Sequence, residues 1–573
     1  MGMIAPRRRD SLALPPMPTI AELLLARAED DLPALLFEDR RWSWREYVRA
    51  CAARGHLLLE LRGPGPFHVG VLLDNVPEYP MLLGAAALAG AAVVGINPTR
   101  RGAELVRDVR HSDAQILVSE ERHAPGLAGL ELGVASGRRF EIESEAWRLA
   151  VRRHEGRPAP RVEIDPRAPY LLIFTSGTTG HPKAAICSQA RLAGVALVAK
   201  DLPQIALRPD DVTYLAMPLF HSNALMVGWA VSVAAGAAMA LRRKFSASGF
   251  LADLRRHGCT YLPYVGKPLS YVLATPERPD DADNPLRRCF GNEGTPRDIG
   301  LFEKRFACAV TDNYGSTEGG IAISRTPDTP PNALCVGMPG TLILDPATGE
   351  ECPRARFDEH GRLLDAERAI GEIANVQTAS AFEGYCNNPE ADRERTRSGI
   401  YWSGDLGYRD EQGFIYFAGR NYDWLRVDGE NFAAAPVEAI LCRHPDVLLA
   451  AVYAVPSPSV GDDVMAAVLP REAEAFDGAG LRDFLAAQPD LGTKWAPRYL
   501  RVARELPVTP TNKILKRVLR AELWECGDPV WLRGPDGAYR PITPADRESI
   551  RREFAARGRS EVLELERNRS AGA

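Results

Sequence analysis

The string Phe174-Thr175-Ser176-Gly177-Thr178-Thr179-Gly180-His181-Pro182-Lys183 constrains this chain more than any other. It continues Tyr170-Leu171-Leu172-Ile173-Phe174, a short apolar run that reads as a buried strand. A buried strand that breaks into hydroxyls, glycines and one lysine is suited to wrapping a polyphosphate. Glycine lets the backbone approach closely, N–H groups and hydroxyls donate to phosphate oxygens, and the ammonium offsets their charge. The Walker loop is a different device: it needs Gly-Lys-Ser/Thr opening a helix, whereas Lys183 lies between Pro182 and Ala184. The bland alternative is an ordinary Ser/Gly/Thr surface turn.

At 573 residues the chain is too long for one core, which predicts two or three domains. Residues 17–165 alternate helical patterns with short apolar strands, among them Val69–Leu73, Ala92–Gly95 and Ala114–Val118. That alternation, continuing from Tyr170 to about Arg325, predicts an α/β architecture with mainly parallel sheets. From about Cys335 to Ala418 short strands with turn punctuation predict a small β subdomain. After Gly419-Arg420 the character becomes compact α+β, with a polar, helical tail expected from about residue 526. The small residues Ala230, Ala234, Ala235 and Gly236 read as helix packing rather than as room for a wide ligand.

Net charge is −5, so nothing argues for a nucleic-acid partner. The ten cysteines are scattered, with no C-x-x-C pair, which favours reduced thiols and a cytoplasmic location. Arg7-Arg8-Arg9 is not followed by an apolar segment, so no signal peptide is expected. No run approaches the roughly 18–20 apolar residues that span a bilayer, and no integral membrane segment is predicted. Lysine is rare, eight of 70 basic residues, and three of the eight fall in the two strings that look chemical. Lysine is a compact point charge that arginine does not replace at a phosphate.

Further strings follow in order. Asn313-Tyr314-Gly315-Ser316-Thr317-Glu318 ends a short strand; its aromatic can lie against a purine, and Glu318 can ligate a Mg²⁺ held by phosphates. In Tyr401-Trp402-Ser403-Gly404-Asp405 the carboxylate after a glycine turn can accept from ribose hydroxyls. Gly419-Arg420, Pro218-Leu219-Phe220-His221-Ser222-Asn223 and Leu506–Arg517 complete the set.

These strings, in this order, resemble the adenylate-forming superfamily of acyl-CoA synthetases, luciferases and peptide-synthetase adenylation domains. The likeness covers at least residues 40–545. A narrower likeness to the very-long-chain acyl-CoA synthetase (fatty-acid-transport) branch rests on Ala184-Ala185, Gly429-Glu430-Asn431, Asp528–Trp531 and Tyr539–Ile542. The resemblance implies a large N-terminal domain, residues 1–419, of two α/β subdomains plus the β subdomain at about 335–418. A smaller, mobile α+β domain, residues 420–573, would follow.

It also implies roles. Thr175, Ser176, Gly177, Thr178, Thr179, Gly180 and Lys183 would hold the ATP phosphates, with Thr178 counted as catalytic, and Glu318 the metal. Asn292 and Glu293, within Gly291–Pro296, would line the adenosine wall with Asn313, Tyr314, Gly315, Ser316 and Thr317. Asp405 and Arg420 would hold the ribose. Lys513 would be the catalytic adenylation lysine, with Asn512 standing for a more usual glycine. His221, Gly266 and Gly294 would border the acyl and CoA site, and the Val427–Glu430 loop, with Gly429 and Glu430, the pantetheine tunnel. Tyr422 stands at the hinge, where Asp or Lys is more usual. The implied activity is an AMP-forming acyl-CoA ligase using ATP, Mg²⁺ and CoA on a long or bulky hydrophobic acid. The absence of the Phe-Asp pair that amino-acid-activating relatives use favours a plain carboxylic acid. The alternative is an enzyme that hands its acyl group to an acyl carrier protein or a separate thiolating partner.

Overall fold

The apolar runs become the central strands of two mixed sheets. The computed structural model describes residues 17–175, 183–326, 328–330, 333–359, 363–420, 424–427, 430–458, 461–472, 476, 478–492, 494–509 and 514–563. The first sheet has six strands in the order Arg139–Glu141, Ala114–Ser119, His68–Leu72, Ala92–Gly95, Pro169–Thr175, Lys183–Ser188. All neighbours are parallel except the last pair, which is antiparallel. The second has eight: Ala322–Ser324, Ala309–Gly315, Arg288–Asn292, Tyr261–Val265, Val212–Leu215, Ala238–Leu241, Pro33–Phe37, Arg40–Ser43. It is antiparallel only at its two edges. Every residue of His68–Leu72, Ala92–Gly95 and Tyr261–Val265 is buried, as parallel strands covered on both faces require.

A helical layer packs on the two sheets and fuses them into one core. Ile20–Leu25, Glu78–Ala89, Gln189–Ala199 and Ala230–Ala235 lie against one another. Their core contains Leu35 and Val265 of one sheet and Val69 and Ile173 of the other. Small residues make this layer possible. Gly236, at φ +73°, ends its helix, and its carbonyl accepts the Trp44 indole N–H at 3.0 Å. Ala230, Ala234 and Ala235 are buried in helix packing, as expected from the sequence.

Residues 341–420 form the predicted β sheet, with Ile400–Arg409 at its centre between Gly371–Asn375, Thr396–Arg397 and Ile415–Arg420. The C-terminal sheet runs Val447–Pro456, Asp462–Pro470, Tyr499–Val502, Val530–Arg533, Tyr539–Pro541. The hairpin Trp424–Val427/Glu430–Ala433 belongs with it, since Leu425 and Phe432 sit in its core. Here the sequence expectation needs correction. Residues 530–541 are not a helical tail but a β-hairpin at the sheet edge, and helix begins only at Pro544. Gly534-Pro535-Asp536-Gly537 is turn chemistry, and Tyr539 is buried with its hydroxyl on Pro497 O at 2.6 Å.

The tightest helix contact gives a stability prediction. A Cβ at Gly84, on Glu78–Ala89, would fall inside the radius of the buried Cys51 sulfur on Trp44–Leu61. Gly84→Ala should cost about 1–3 kcal/mol through overpacking. Cys51→Ala in the same chain should recover most of it, as urea unfolding of both variants will measure.

Candidate active site

The strands on either side of the phosphate string, Pro169–Thr175 and Lys183–Ser188, pair antiparallel and form a hairpin mouth. Thr175 and Lys183 are direct cross-strand partners, and the Thr175 hydroxyl donates to Lys183 O at 3.3 Å. The same hydroxyl lies 3.4 Å from Glu318 Oε1, across 143 residues of sequence. Glu318 is 6% exposed. Its Oε1 accepts the Tyr385 hydroxyl at 2.7 Å, and Tyr385 in turn accepts from Arg395 Nε at 3.1 Å. Burial, then the Glu318 charge, push the Tyr385 phenol well above its ordinary range, so it stays a donor. The Lys183 ammonium sits over the Tyr385 ring at 5.6 Å and donates to Glu394 at 3.0 Å. The short helix Pro389–Arg395 thus supplies two groups to the hairpin mouth.

The nucleotide strings meet at a second hydrogen bond. Tyr314 OH donates to Asp405 Oδ2 at 2.7 Å, joining segments 91 residues apart. Asp405 is the cross-strand partner of Arg420, so sheet register alone brings the two ribose candidates together. Asn292 Nδ2 donates to Asn313 O at 3.2 Å, and Asn292 O accepts from Gly266 N at 2.6 Å. Asn313 is 8% exposed; its amide donates to Gly291 O, and its Oδ1 has no hydrogen-bond partner. That buried lone acceptor suits an exocyclic amine such as adenine's.

Behind this wall lies Asp312. Its Oδ2 accepts Tyr264 OH and Gly294 N, each at 2.7 Å. Gly266 (φ +54°) and Glu293 (φ +65°) hold left-handed turns around it, and Glu293 carries the strain of a non-glycine there.

The acyl string docks on the nucleotide string: Thr317 Oγ1 donates to Ser222 Oγ at 2.9 Å, one residue from His221. Phe220 lies against the other sheet, where a Cβ on Gly95 would come within 2.9 Å of its side chain. After Asn223 the chain winds as a π-helix, Ala224–Trp229, a rare form frequent at functional sites. Buried hydroxyls accommodate its carbonyls: Tyr261 OH donates to Val227 O at 3.0 Å and Ser232 Oγ to Gly228 O at 2.9 Å. Asn223 Nδ2 fastens the segment to Tyr264 O at 3.0 Å.

Several expected residues lie outside the described set: Ser176, Gly177, Thr178, Thr179, Gly180, Tyr422, Gly429 and Lys513, while Arg420 and Glu430 are described by backbone alone. Sequence reading missed Tyr385, Arg395, Asp312 and Arg191. Arg191 opens the helix after the hairpin and donates to Thr317 O at 2.6 Å and Ile186 O at 3.1 Å. Its position three residues after Ser188, the helix N-cap, was the available signal. Asp74, Glu120 and His123 also bring ligand-type atoms within 4.8 Å of one another. Arg122, Arg243 and Lys244 already lie on those carboxylates, so the group is a charge network.

Burial pushes Asp312 up to about 7, opposed by its two hydrogen bonds and by Arg325, and aided by Glu293. The folded state therefore keeps a proton that the unfolded state has lost, and stability falls as pH rises from about 4 to about 7. Asp312→Asn mimics the protonated form and lacks this titration. Its stability relative to the parent should rise by about 2–4 kcal/mol between pH 5 and pH 8.5, measured by denaturant unfolding at each pH.

Comparison with known proteins agrees with this geometry. Residues 25–385 match the AMP-binding enzyme family, and residues 436–513 the AMP-binding enzyme C-terminal domain. The chain is 49% identical over 553 residues to the steroid-22-oyl-CoA synthetase of Rhodococcus jostii (strain RHA1), covering 96% of this chain and 99% of that one. It is 49% identical over 520 residues to the medium/long-chain-fatty-acid–CoA ligase FadD17 of Mycobacterium tuberculosis, covering 90% and 99%. Among solved structures, ATP-bound MatB from Rhodopseudomonas palustris superposes with a TM-score of 0.76 at 24% identity, covering 87% of this chain and 98% of MatB. By its sequence over most of its length, and by a site that joins those same segments, this chain belongs to the AMP-binding enzyme family.

Proposed function

We propose that this protein is an ATP-dependent acyl-CoA ligase that activates a long or bulky hydrophobic carboxylic acid through an acyl-adenylate. The observation that carries the reading is that the motif residues pair across the chain, Thr175 with Glu318 and Tyr314 with Asp405. The acid class is supported by the steroid and medium/long-chain fatty acid specificities in the names of the two relatives.

In the first half-reaction a carboxylate oxygen of the acid attacks the α-phosphorus. A C–O–P linkage forms, the bond to the β-phosphate bridging oxygen breaks, and pyrophosphate leaves. Little covalent work falls to the protein; alignment and charge stabilisation dominate. Residues 175–180 and Lys183 hold the β- and γ-phosphates, with Glu394 keeping the lysine at the hairpin mouth. Asn313 Oδ1 accepts from the adenine amine, Tyr314 flanks the base, and Asp405 and Arg420 take the ribose. The oxygen donors Glu318 and Thr175 suit Mg²⁺, which binds few protein carboxylates beside its phosphates and supplies charge neutralisation on them. Tyr385 and Arg395 orient Glu318 from behind. Lys513 bridges the acid and the α-phosphate.

In the second half-reaction the CoA sulfur attacks the acyl carbon, the carbon–oxygen bond to AMP breaks, and AMP leaves with the carboxyl oxygen. The division at residues 419/420, with Tyr422 just beyond, lets residues 420–573 turn between the two steps and bring Val427–Glu430 to the thiol path. His221, Gly266 and Gly294 border the acyl and pantetheine route. Ten free cysteines support a cytoplasmic place of action; among the described residues no helix is long and apolar enough to cross a membrane.

The decisive assay supplies ATP, Mg²⁺ and CoA with fatty acids and polycyclic carboxylic acids, and quantifies acyl-AMP and acyl-CoA by mass spectrometry. CoA-dependent acyl-CoA formation with a preference for large hydrophobic acids is expected; accumulation of acyl-AMP alone would overturn the CoA step. Lys513→Ala should lower acyl-AMP formation about 10²–10³-fold while leaving thioesterification of supplied acyl-AMP within tenfold. Tyr385→Phe, which deletes a hydrogen bond to a charged group, should raise the KM for Mg²⁺–ATP about tenfold. Initial rates across a Mg²⁺–ATP series measure that change.

A further inference from the structure

Helix Glu78–Ala89 is buried from its second residue to its last, and phenols packed on it hydrogen-bond to its carbonyls. Tyr47 OH donates to Pro80 O, and Tyr170 OH to Leu83 O at 2.8 Å. Tyr79, in the first turn of the same helix, is the exception. It is 1% exposed, and among the described residues its hydroxyl has no hydrogen-bond partner. Burial alone pushes its phenol well above the ordinary range. A buried hydroxyl left unpaired costs free energy that its own surroundings do not return.

The hydroxyl lies on the wall of a narrow crevice between the first large sheet and the segment that follows strand Val212–Leu215 of the second. A Cβ on Gly95 would stand 3.1 Å from Tyr79 OH and 2.9 Å from Phe220 Cβ, so the two residues meet over a position that has no side chain. The crevice is too narrow for a water molecule, which leaves the hydroxyl without a solvent bridge as well. The other side chains on its wall are all hydrocarbon.

Its place in the fold says what could enter. Ile173, on the wall, is the cross-strand partner of Gly95 and stands two residues before Thr175. Leu219 and Phe220 lead directly into His221, and Leu225 belongs to the π-helix Ala224–Trp229. The crevice thus adjoins both the end of the phosphate strand and the acyl string. Hydrocarbon walls suit the skeleton of a hydrophobic acid and exclude phosphate or ribose. Phe220 is half-buried and is the wall residue next to His221.

We propose that Tyr79 is a specificity-determining residue: its hydroxyl pairs with an oxygen carried on the hydrophobic body of the acid, away from the carboxylate, which enters the crevice past Phe220. A phenol both donates and accepts, so a hydroxyl or a carbonyl on the acid satisfies it. This narrows the acid class given above and rests on that reading.

The test compares the full chain with its Tyr79→Phe variant on matched acids. Each pair shares one skeleton, a long chain or a fused ring system, with and without a hydroxyl or carbonyl remote from the carboxylate. In the parent, the best oxygenated acid should exceed its deoxy counterpart about tenfold or more in kcat/KM for acyl-CoA formation, because a site built for a polar group rejects the analogue lacking it. In Tyr79→Phe that ratio should fall to within about twofold of one, and the urea midpoint should be no lower than the parent's. A parent with no preference for any oxygenated acid, a preference that survives in Tyr79→Phe, or a lowered midpoint overturns the proposal. If the parent forms neither acyl-AMP nor acyl-CoA from any acid, it is the functional reading that fails, and calorimetric binding of the same pairs then decides. Tighter binding of the oxygenated acid that is lost in Tyr79→Phe supports the role of Tyr79, and equal binding refutes it.

Discussion

A carboxylate taken out of water is tolerated only when its oxygens are hydrogen-bonded, and Glu318 meets that condition with groups drawn from three separate regions. Thr175 reaches it from the first sheet, Tyr385 from the loop between two strands of the β subdomain, and the strand Ala309–Gly315 of the second sheet delivers it. Withdrawing Thr175 or Tyr385 would remove one of the two hydrogen bonds these residues give to that buried carboxylate. The Glu318 cluster therefore acts as the stitch that holds two α/β sheets and the β subdomain around a single crevice. Arg395, behind Tyr385, extends the stitch to Trp402 O in the strand that also carries Asp405.

The crevice lies where parallel strands end, which is the place open α/β sheets offer a ligand. Thr175, Asn292 and Gly315 are each the last residue of a strand, and Gly266 follows directly on Val265. Position at a strand end explains why each motif combines an apolar lead with a polar or glycine break. The lead is core, and the break is the site. Backbone pairing supplies further convergence at no side-chain cost, as the Asp405–Arg420 register illustrates.

Much of this was legible in the sequence because motif and strand are the same local signal. The apolar runs ending in Thr175 and Gly315 declared both a strand and a ligand turn. What was not legible depended on partners far along the chain. Arg395 and Arg191 look like surface arginines in a chain that uses arginine everywhere, and Asp312 looks like one more polar residue before a turn. Their roles come from burial against Tyr385, Thr317 O and Tyr264, which no local window contains. The 530–541 hairpin differs from expectation for another reason: its turn signal, Gly534-Pro535-Asp536-Gly537, was merged with the polar helical stretch that follows it from Pro544.

The π-helix at Ala224–Trp229 has a consequence for how the acyl wall can change. An α-helix advances about 100° per residue, and a π turn holds one residue more than an α turn. Tyr261 and Ser232 donate to two carbonyls inside this turn, those of Val227 and Gly228. Deleting a single residue there would restore ordinary winding and rotate His221 and Asn223 relative to Trp229 by roughly a quarter turn. The site thus contains a built-in vernier, by which the mouth of the acyl passage could be re-aimed through a change in chain length without altering any residue that lines it.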